Sequence, residues 1–147
     1  NPSNPVSWRI WDGEGFNISQ INPSVSTPVS PNQYLCQPVS PGVIKSLQGS
    51  LTYNTYLERY MLVGSETFEG VYGFYASLSS DLINWSKPQL LKTLSGGVSE
   101  AYPSVIDHDA SDRSFTRADN TFYLYFTRNN DGLLNRDLIR VPVTIAK

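Results

Sequence analysis

The sequence is poor in the residue types that disulfides, metal centres and charged surfaces require. Its 147 residues include one cysteine, Cys36, and one histidine, His108, so no disulfide can form within the chain. Charged residues make up 16% of the chain, and 11 Lys and Arg nearly balance 13 Asp and Glu. This balance provides neither a basic stripe for a nucleic-acid backbone nor a polybasic membrane patch, and no apolar run approaches the roughly 20 residues of a membrane span. We therefore expect no nucleic-acid or membrane partner.

Aromatic residues, glycine and proline are plentiful instead. The chain contains 3 Trp, 9 Tyr and 6 Phe, together 12% of its residues, along with 10 Gly and 10 Pro. Tyr and Phe favour β-strands, whereas Gly and Pro favour turns and destabilise helices. This composition predicts an all-β protein, and a chain of this length is sufficient for one domain with a hydrophobic core.

The N-terminal third differs in composition from the rest. Residues 1–45 hold seven of the ten prolines in a background of polar residues. A short strand is predicted within residues 7–19, SWRIWDGEGFNIS, with four side chains packed inward: Trp8, Ile10, Phe16 and Ile18. Residues 22–42 are predicted to form an extended loop, because proline cannot donate to a strand ladder. A loop of this length is expected to be functional or to fold back over another part of the structure.

Four strands are predicted after this segment, at residues 43–54, 59–66, 70–80 and 87–93. The first three are mostly apolar or small on both faces, so they are expected to be covered on both sides. Pro88, at the beginning of the fourth strand, indicates an outer edge strand, because proline is tolerated mainly at sheet edges.

The strand pattern then begins again. Residues 100–109, 121–129 and 136–145 resemble the first, second and third of these strands. The last of them has two different faces. One face is apolar and consists of Ile139, Val141, Val143 and Ile145, and the opposite face is expected to be less buried. A repeat of roughly 50 residues suits one four-stranded blade of a β-propeller.

We therefore predict one partial propeller domain over residues 1–147. It would consist of about two four-stranded antiparallel blades, at residues 46–95 and 98–147, preceded by the irregular segment 1–45. A β-sandwich built from two similar hairpins is the alternative. Because a closed propeller needs about 4–8 blades, two blades side by side would leave apolar faces exposed. The chain is thus expected to self-associate, to lack blades of the same natural protein, or to cover one face with residues 1–45.

Residues 77–88, SLSSDLINWSKP, form the most distinctive turn of the sequence. Asp81 follows the third strand, where its carboxylate can accept turn N–H groups as in an Asx turn. Leu82 and Trp85 lie three residues apart, so both are predicted to point back into the sheet. Trp85 is expected to be a buried packing wedge between blades, with a sugar-stacking platform as the alternative.

This turn resembles the Ser-x-Asp-Leu-x-x-Trp turn that recurs in five-bladed β-propeller glycoside hydrolases, the arabinanase and β-xylosidase family and its invertase and levansucrase relatives. The segments LTYNTYLERYMLVGSE, YPSVIDHDASDRSF and FYLYFTRNN strengthen the likeness. Together they resemble the later blades of uncharacterised bacterial propellers of that group, over roughly residues 8–145. The resemblance implies a glycoside-hydrolase-like protein that acts on or binds plant or microbial polysaccharides or oligosaccharides, and a secreted or periplasmic location.

The catalytic chemistry that this resemblance implies needs two carboxyl groups flanking the scissile bond. In the resembled families these come mostly from the first three blades, and no carboxylate of this chain matches such a position. On local grounds the catalytic candidate is Glu100, at the entrance of a predicted inner strand, with a solvated loop charge as the alternative. Asp107, at the other end of that strand, is roughly 20 Å away at about 3.3 Å per residue, too far to act with it. The candidate substrate-binding residues are Tyr102, Tyr53 and Asn54.

Asp107, His108 and Asp109 are consecutive, and such residues can bind divalent ions. A single histidine without a second cluster favours a polar turn capped by an aspartate, so we expect no metal and no cofactor. Arginine and aspartate residues alternate in the C-terminal third and predict surface ion pairs. They are Arg113, Arg117, Arg128 and Arg136 with Asp112, Asp119, Asp131 and Asp137.

Three hypotheses about function follow from these features. The first is a fragment, or a shortened relative, of a glycoside-hydrolase-like propeller, with or without activity. The second is a lectin-like carbohydrate-binding module, in which exposed aromatic residues stack on sugars without an acid pair. Its candidate aromatic residues are Tyr53, Tyr56, Tyr72, Trp8 and Trp11. The third is a non-catalytic structural protein that makes assembly contacts. Carbohydrate is the expected partner under the first two.

Overall fold

The structure is a computed structural model that describes residues 3–4, 7–20, 35–45, 47–94, 99–131 and 135–146. About half of these residues lie in β-strands and none in an α-helix, which confirms the all-β prediction. The described part of the chain accordingly has no helix long and apolar enough to cross a membrane. The chain divides into two compact units, residues 1–39 and 40–147.

The first unit contains a small antiparallel hairpin, with strands β1 (Arg9–Ile10) and β2 (Ile18–Ser19), rather than the single strand predicted. Asp12 closes its turn, because its Oδ1 atom accepts the backbone N–H groups of Glu14 at 2.9 Å and Gly15 at 2.8 Å. These hydrogen bonds, the one from Glu14 above all, hold the pKa of Asp12 below its ordinary value.

The prediction that Trp8 and Phe16 pack inward is wrong. Their side chains are 50% and 58% exposed, because a pair of two-residue strands offers no sheet face that could bury them. Ile10 and Ile18, which were predicted to share that face, are half-buried. The central part of the predicted proline-rich loop, residues 21–34, lies outside the described residues.

The second unit contains eight strands among its described residues, arranged in two sheets. In chain order they are β3 (Ser50–Asn54), β4 (Arg59–Phe68), β5 (Val71–Ser79), β6 (Gln89–Thr93), β7 (Ser99–Ile106), β8 (Arg117–Ala118), β9 (Thr121–Asn129) and β10 (Arg136–Thr144). Strands β6, β5, β4, β3 and β8 form a five-stranded sheet in that order, and β10, β9 and β7 form a three-stranded sheet. The sheet structure is curled like half of a barrel.

The first repeat agrees with the prediction in its number of strands, but β3 begins at Ser50 and not at residue 43, because residues 41–45 form turns. Strands β3 to β6 form an antiparallel four-stranded meander, and β4, β5 and β6 have nearly the predicted bounds. Strand β6 lies at the edge of its sheet and directly follows Pro88, which confirms the edge assignment. Strand β8 was not predicted: it pairs in parallel with β3, where Tyr53 lies opposite Arg117.

The second repeat differs from the prediction, because only three strands lie in its sheet within the described residues. Strand β9 has the predicted bounds and β10 ends one residue earlier than predicted, whereas β7, which pairs with β9, ends at Ile106 and not at residue 109. Between β7 and β9 the chain forms turns at residues 107–116, where aspartates accept backbone N–H groups in place of a strand ladder. The short strand β8 that follows joins the other sheet.

The hydrophobic core of the second unit lies between its two sheets. Its buried residues are Met61, Val63, Phe74, Ala76, Leu94, Val105, Ala118, Phe122, Leu124 and Phe126. The rings of Phe74 and Phe126, one from each sheet, have centroids 5.2 Å apart. The predicted apolar face of β10 packs against this core, whereas Leu138 on its other face is 70% exposed, as strand alternation requires.

Asp81 organises the turn after β5. Its Oδ1 atom accepts the N–H groups of Asn84 at 2.7 Å and Ile83 at 2.9 Å, which confirms the predicted Asx turn. These bonds, the one from Asn84 foremost, hold the pKa of Asp81 far below its usual range. Leu82 has a φ of 66° and is 38% exposed, so the prediction that it points into the sheet is wrong. Trp85 is half-buried rather than buried, and its ring N–H donates to the Leu82 carbonyl at 3.1 Å, so it closes the turn.

Candidate functional site

Glu100, the predicted catalytic residue, lies inside a strand as the second residue of β7 and is 7% exposed. Its Oε2 atom forms an ion pair with Lys92 of β6. Its Oε1 atom accepts hydrogen bonds from Arg128 of β9, at 2.9 Å from Nη2 and 3.1 Å from Nε. The alternative prediction, a solvated loop charge, is therefore wrong.

The position of Glu100 follows from the sheet pairing, which places it directly opposite Arg128. Burial alone would raise the pKa of the Glu100 carboxyl, but hydrogen bonds and charge from Lys92 and Arg128 outweigh it and lower the pKa below its ordinary value. A general acid in glycoside hydrolysis needs a raised pKa. The arrangement is that of an ion pair that joins β6, β7 and β9.

Asp107, at the other end of β7, is also buried and engaged. Its Oδ1 atom accepts the N–H of Asp109 and its Oδ2 atom the N–H of Asp119, both at 2.9 Å. This confirms the predicted aspartate-capped turn and the separation of Glu100 and Asp107 along the strand. The described residues contain no group of three or more His, Cys, Asp or Glu that could hold a metal ion.

Asn54 and Tyr53, two predicted substrate-binding residues, lie at the end of β3. Asn54 is fully buried: its side-chain amide donates to the Asp119 carbonyl at 2.8 Å and its Oδ1 accepts the Leu57 N–H at 2.8 Å. This burial does not fit contact with a substrate. Tyr53 is half-buried, packs edge-to-face on Tyr60 with centroids 5.2 Å apart, and lines a shallow depression of about 560 Å³.

Tyr102, the remaining candidate, is 71% exposed and stands at an irregularity of β7. The register between β7 and β9 shifts between Ala101 and Ser104. Pro103 lies within this shift and has no N–H to donate, so the ladder cannot continue regularly across it. Tyr102 itself adopts a left-handed backbone with a φ of 59°, a strained conformation for a bulky residue.

A groove of about 650 Å³ opens beside Tyr102 on the outer face of the three-stranded sheet, the face turned away from the core. We call it the aromatic groove. Its lining residues are Tyr102, Ser104, Ile106, His108, Arg113, Phe115, Tyr125 and Leu138. They come from β7, β9, β10 and the loop that follows β7.

Phe115 forms a wall of the aromatic groove and is 42% exposed. Its φ of 55° is again left-handed. Seven described residues other than glycine have a positive φ, and only two of them, Tyr102 and Phe115, are aromatic. Both line the same groove, and backbone strain of this kind concentrates where a structure holds side chains for binding.

The polar groups of the groove are held in place by one another. The Nε2 atom of His108 lies 2.9 Å from the Tyr125 hydroxyl, and the His108 ring stacks on Tyr123 with centroids 4.4 Å apart. Arg140 adds a guanidinium 4.9 Å from the Tyr123 ring centroid. These contacts orient Tyr125 and His108 along the floor of the groove.

Arg113 lines the aromatic groove as its cationic residue. The predicted pairing of arginines with aspartates in the C-terminal third does not hold for two of the arginines. Arg128 pairs with Glu100, and Arg113 has no hydrogen bond or ion pair within the described residues. No carboxylate is among the residues that line the groove. Arg113 therefore offers the groove a guanidinium that no described carboxylate pairs with.

The structure thus separates the four predicted site residues. Tyr102 lines the aromatic groove, Tyr53 lines another depression, Asn54 is buried and Glu100 is ion-paired. Phe115 was not predicted as a groove residue, although a phenylalanine in a polar loop of aspartates, serines and arginines is a signal of an exposed aromatic function.

No known protein family, curated protein or solved structure matches the chain. The likeness to propeller glycoside hydrolases therefore stays a hypothesis, and the aromatic groove is the feature from which function is inferred.

Proposed function

We propose that this protein binds a saccharide in the aromatic groove and does not cleave it. One observation carries the proposal: Tyr102 and Phe115, the two aromatic residues with a left-handed backbone, face the same open groove. Two bulky side chains held at strained positions are costly to the fold. A ligand that contacts both is the simplest reason for their placement.

A saccharide fits the chemistry of this groove. Sugar rings combine apolar C–H faces with a rim of hydroxyl groups, so they need aromatic surface and polar groups close together. Tyr102 and Phe115 supply the surface, and Ser104, His108 and the Tyr125 hydroxyl supply hydrogen-bonding groups beside it. This combination favours a sugar over a wholly apolar ligand.

Binding without hydrolysis is favoured by the carboxylates. Glu100 has both oxygens in ion pairs and a lowered pKa, and Asp107 has both oxygens in backbone hydrogen bonds. Neither is among the residues that line the groove. Glu100 and Asp107 therefore do not supply the pair of free carboxyl groups that a glycosidase needs.

A relationship to propeller glycoside hydrolases is compatible with this proposal. The meander β3–β6 would correspond to one blade, and β7, β9 and β10 to most of the next. In that case the chain is a blade pair that retains carbohydrate binding, and its ligand would be a plant or microbial polysaccharide or oligosaccharide.

Calorimetric titration with arabino-, xylo- and galacto-oligosaccharides, chosen after a glycan array, tests the proposal. Tyr102→Ala and Phe115→Ala should each weaken binding roughly tenfold or more, because each removes an aromatic contact. Tyr72→Ala is the matched control, since Tyr72 is 48% exposed on β5 and does not line the groove. Unchanged affinity in both groove variants, or no glycan bound at all, would overturn the proposal. Release of reducing sugar by the wild-type chain would contradict the non-catalytic part.

A second candidate, an assembly face, is favoured by Leu138 and Tyr102, which are 70% and 71% exposed on the same groove. A further blade or a second copy seated there would cover them. Light scattering on the same variants separates the two functions. If Tyr102→Ala and Leu138→Ser shift the chain from dimer to monomer without any effect of glycan, the groove is an assembly face.

A further inference from the structure

We infer that the aromatic groove selects saccharides that carry a carboxylate, that is, uronate-containing oligosaccharides. This inference rests on the proposed saccharide binding and adds the class of ligand. Its basis is Arg113, a guanidinium with no hydrogen-bond or ion-pair partner among the described residues, on the wall of a groove lined by no carboxylate.

The loop after β7 separates its charges between two surfaces. Its carboxylates Asp107, Asp109 and Asp112 line a different depression, of about 270 Å³, together with Asp119 and Arg117. The oxygens of Asp107 accept the N–H groups of Asp109 and Asp119, and those of Asp112 accept the Ser114 N–H at 2.9 Å and the Ser114 hydroxyl at 2.6 Å. These acids thus lie outside the aromatic groove, and no described carboxylate pairs with Arg113, whose charge is available to a ligand.

Arginine is suited to a sugar carboxylate. Its planar guanidinium stays charged at all ordinary pH values and presents parallel N–H donors that match the two oxygens of a carboxylate. Tyr102 and Phe115 beside it would exclude part of the water when a ring is seated, which strengthens the attraction between the charges. A uronate ring would stack on the aromatic walls and pair its carboxylate with Arg113.

A matched pair of ligands isolates the charge. An α-1,4-linked galacturonate trimer and its methyl ester have the same rings, but only the first carries carboxylates. In titrations at low salt the acid should bind about tenfold more tightly than the ester, and the advantage should shrink as ionic strength rises. A trisaccharide that carries sulfate groups and no carboxylate distinguishes a carboxylate site from a general anion site.

Arg113→Gln should remove the preference for the acid, because it should weaken binding of the acid about tenfold and binding of the ester much less. Arg113→Lys should restore part of the preference, because it keeps the charge and loses the paired donors. Arg117→Gln is the control: it makes the same change in net charge from the same region of the chain, but Arg117 lines the depression of Tyr53.

The failures of the two ideas are distinguishable. Equal binding of acid and ester that depends on Tyr102 and Phe115 but not on Arg113 would overturn the uronate preference and leave saccharide binding standing. Tighter binding of the sulfated sugar than of the acid would also overturn it. Binding of none of the three ligands, with the variants folded by circular dichroism, would overturn the uronate assignment.

Discussion

The turn after β5 and the loop after β7 are both organised by aspartates that accept backbone N–H groups, but they differ in what they leave exposed. In the turn, Asp81 binds Ile83 and Asn84, and Trp85 donates its ring N–H to Leu82. The polar groups of this turn therefore form most of their hydrogen bonds with one another.

The loop after β7 uses its carboxylates in the same way, through Asp107 and Asp112. It leaves Arg113 and Phe115 on the wall of the aromatic groove. The difference teaches that Asp107, which was considered as a catalytic and as a metal-binding candidate, has the same structural role as the turn residue Asp81. Arg113 and Phe115, which take no part in binding the backbone N–H groups of the loop, are the residues available for function.

The largest effect is expected at the beginning of β7, where the ion pair supports the strand that carries the groove. Glu100→Gln leaves the positive charges of Lys92 and Arg128 without their partner. We expect the free energy of unfolding to fall by about 2–3 kcal/mol, below the range for a fully buried pair because both cations are partly exposed. Chemical denaturation measures it. A loss of glycan binding at unchanged stability would instead indicate a direct role in the site.

The same pair predicts a pH dependence. The folded-state pKa of Glu100 is lowered, so its stabilisation is present above the unfolded pKa, near 4.5, and is lost as the pH falls through the folded value. The stability difference between wild type and Glu100→Gln should therefore be constant near neutral pH and shrink below about 4.5. A difference that stays the same down to pH 3 would contradict an ion-paired Glu100.

The next largest effects on stability are expected at Asp107 and Asp81, the aspartates that cap the two turns. Asp107→Ala should lower the free energy of unfolding by about 2 kcal/mol, because the N–H groups of Asp109 and Asp119 lose their acceptor at a position only 6% exposed. Asp81→Ala should cost less, since water can replace its carboxylate in an exposed turn. Asp107→Asn keeps one acceptor oxygen and should recover part of the loss. Equal costs for the two alanine variants would remove the distinction between the two regions.

The smallest of these effects is expected at Trp85. Because its ring is half-buried, Trp85→Ala should cost about 1–2 kcal/mol, below the roughly 3–5 kcal/mol for a fully buried tryptophan. Glycan affinity should not change, because Trp85 does not line the aromatic groove. Trp85→Phe, which keeps an aromatic ring of smaller area and removes the N–H, is the control for the bond to Leu82. A lost affinity at unchanged stability would make Trp85 a sugar platform.

Part of the fold could be predicted because its causes are local. The bounds of β9 and β10 follow from runs of alternating apolar residues, and the edge position of β6 follows from Pro88. The Asx turn at Asp81 depends on residues two and three positions further on. Such features need no knowledge of the rest of the chain.

The candidate site could be predicted only at Tyr102. Its groove neighbours Phe115, Tyr125 and Leu138 come from other elements, and no spacing in the sequence relates them. The burial of Glu100 was missed for the same reason, since its partner Arg128 is 28 positions away in the chain. The described residues of the second repeat supply three strands to its own sheet, because the short strand β8 pairs with β3 of the other sheet, and sequence patterns do not reveal such a pairing.

The sequence by itself determined an all-β chain, the positions of most strands, the edge proline and the aspartate-capped turns, because backbone propensity and short-range hydrogen bonds set them. Only the tertiary structure decided which charges meet, which aromatic residues stay exposed, and that Arg113 faces a groove without a carboxylate. Those outcomes depend on strand register and on the bulge at Tyr102, where a shift of one residue moves a side chain to the opposite face of the sheet.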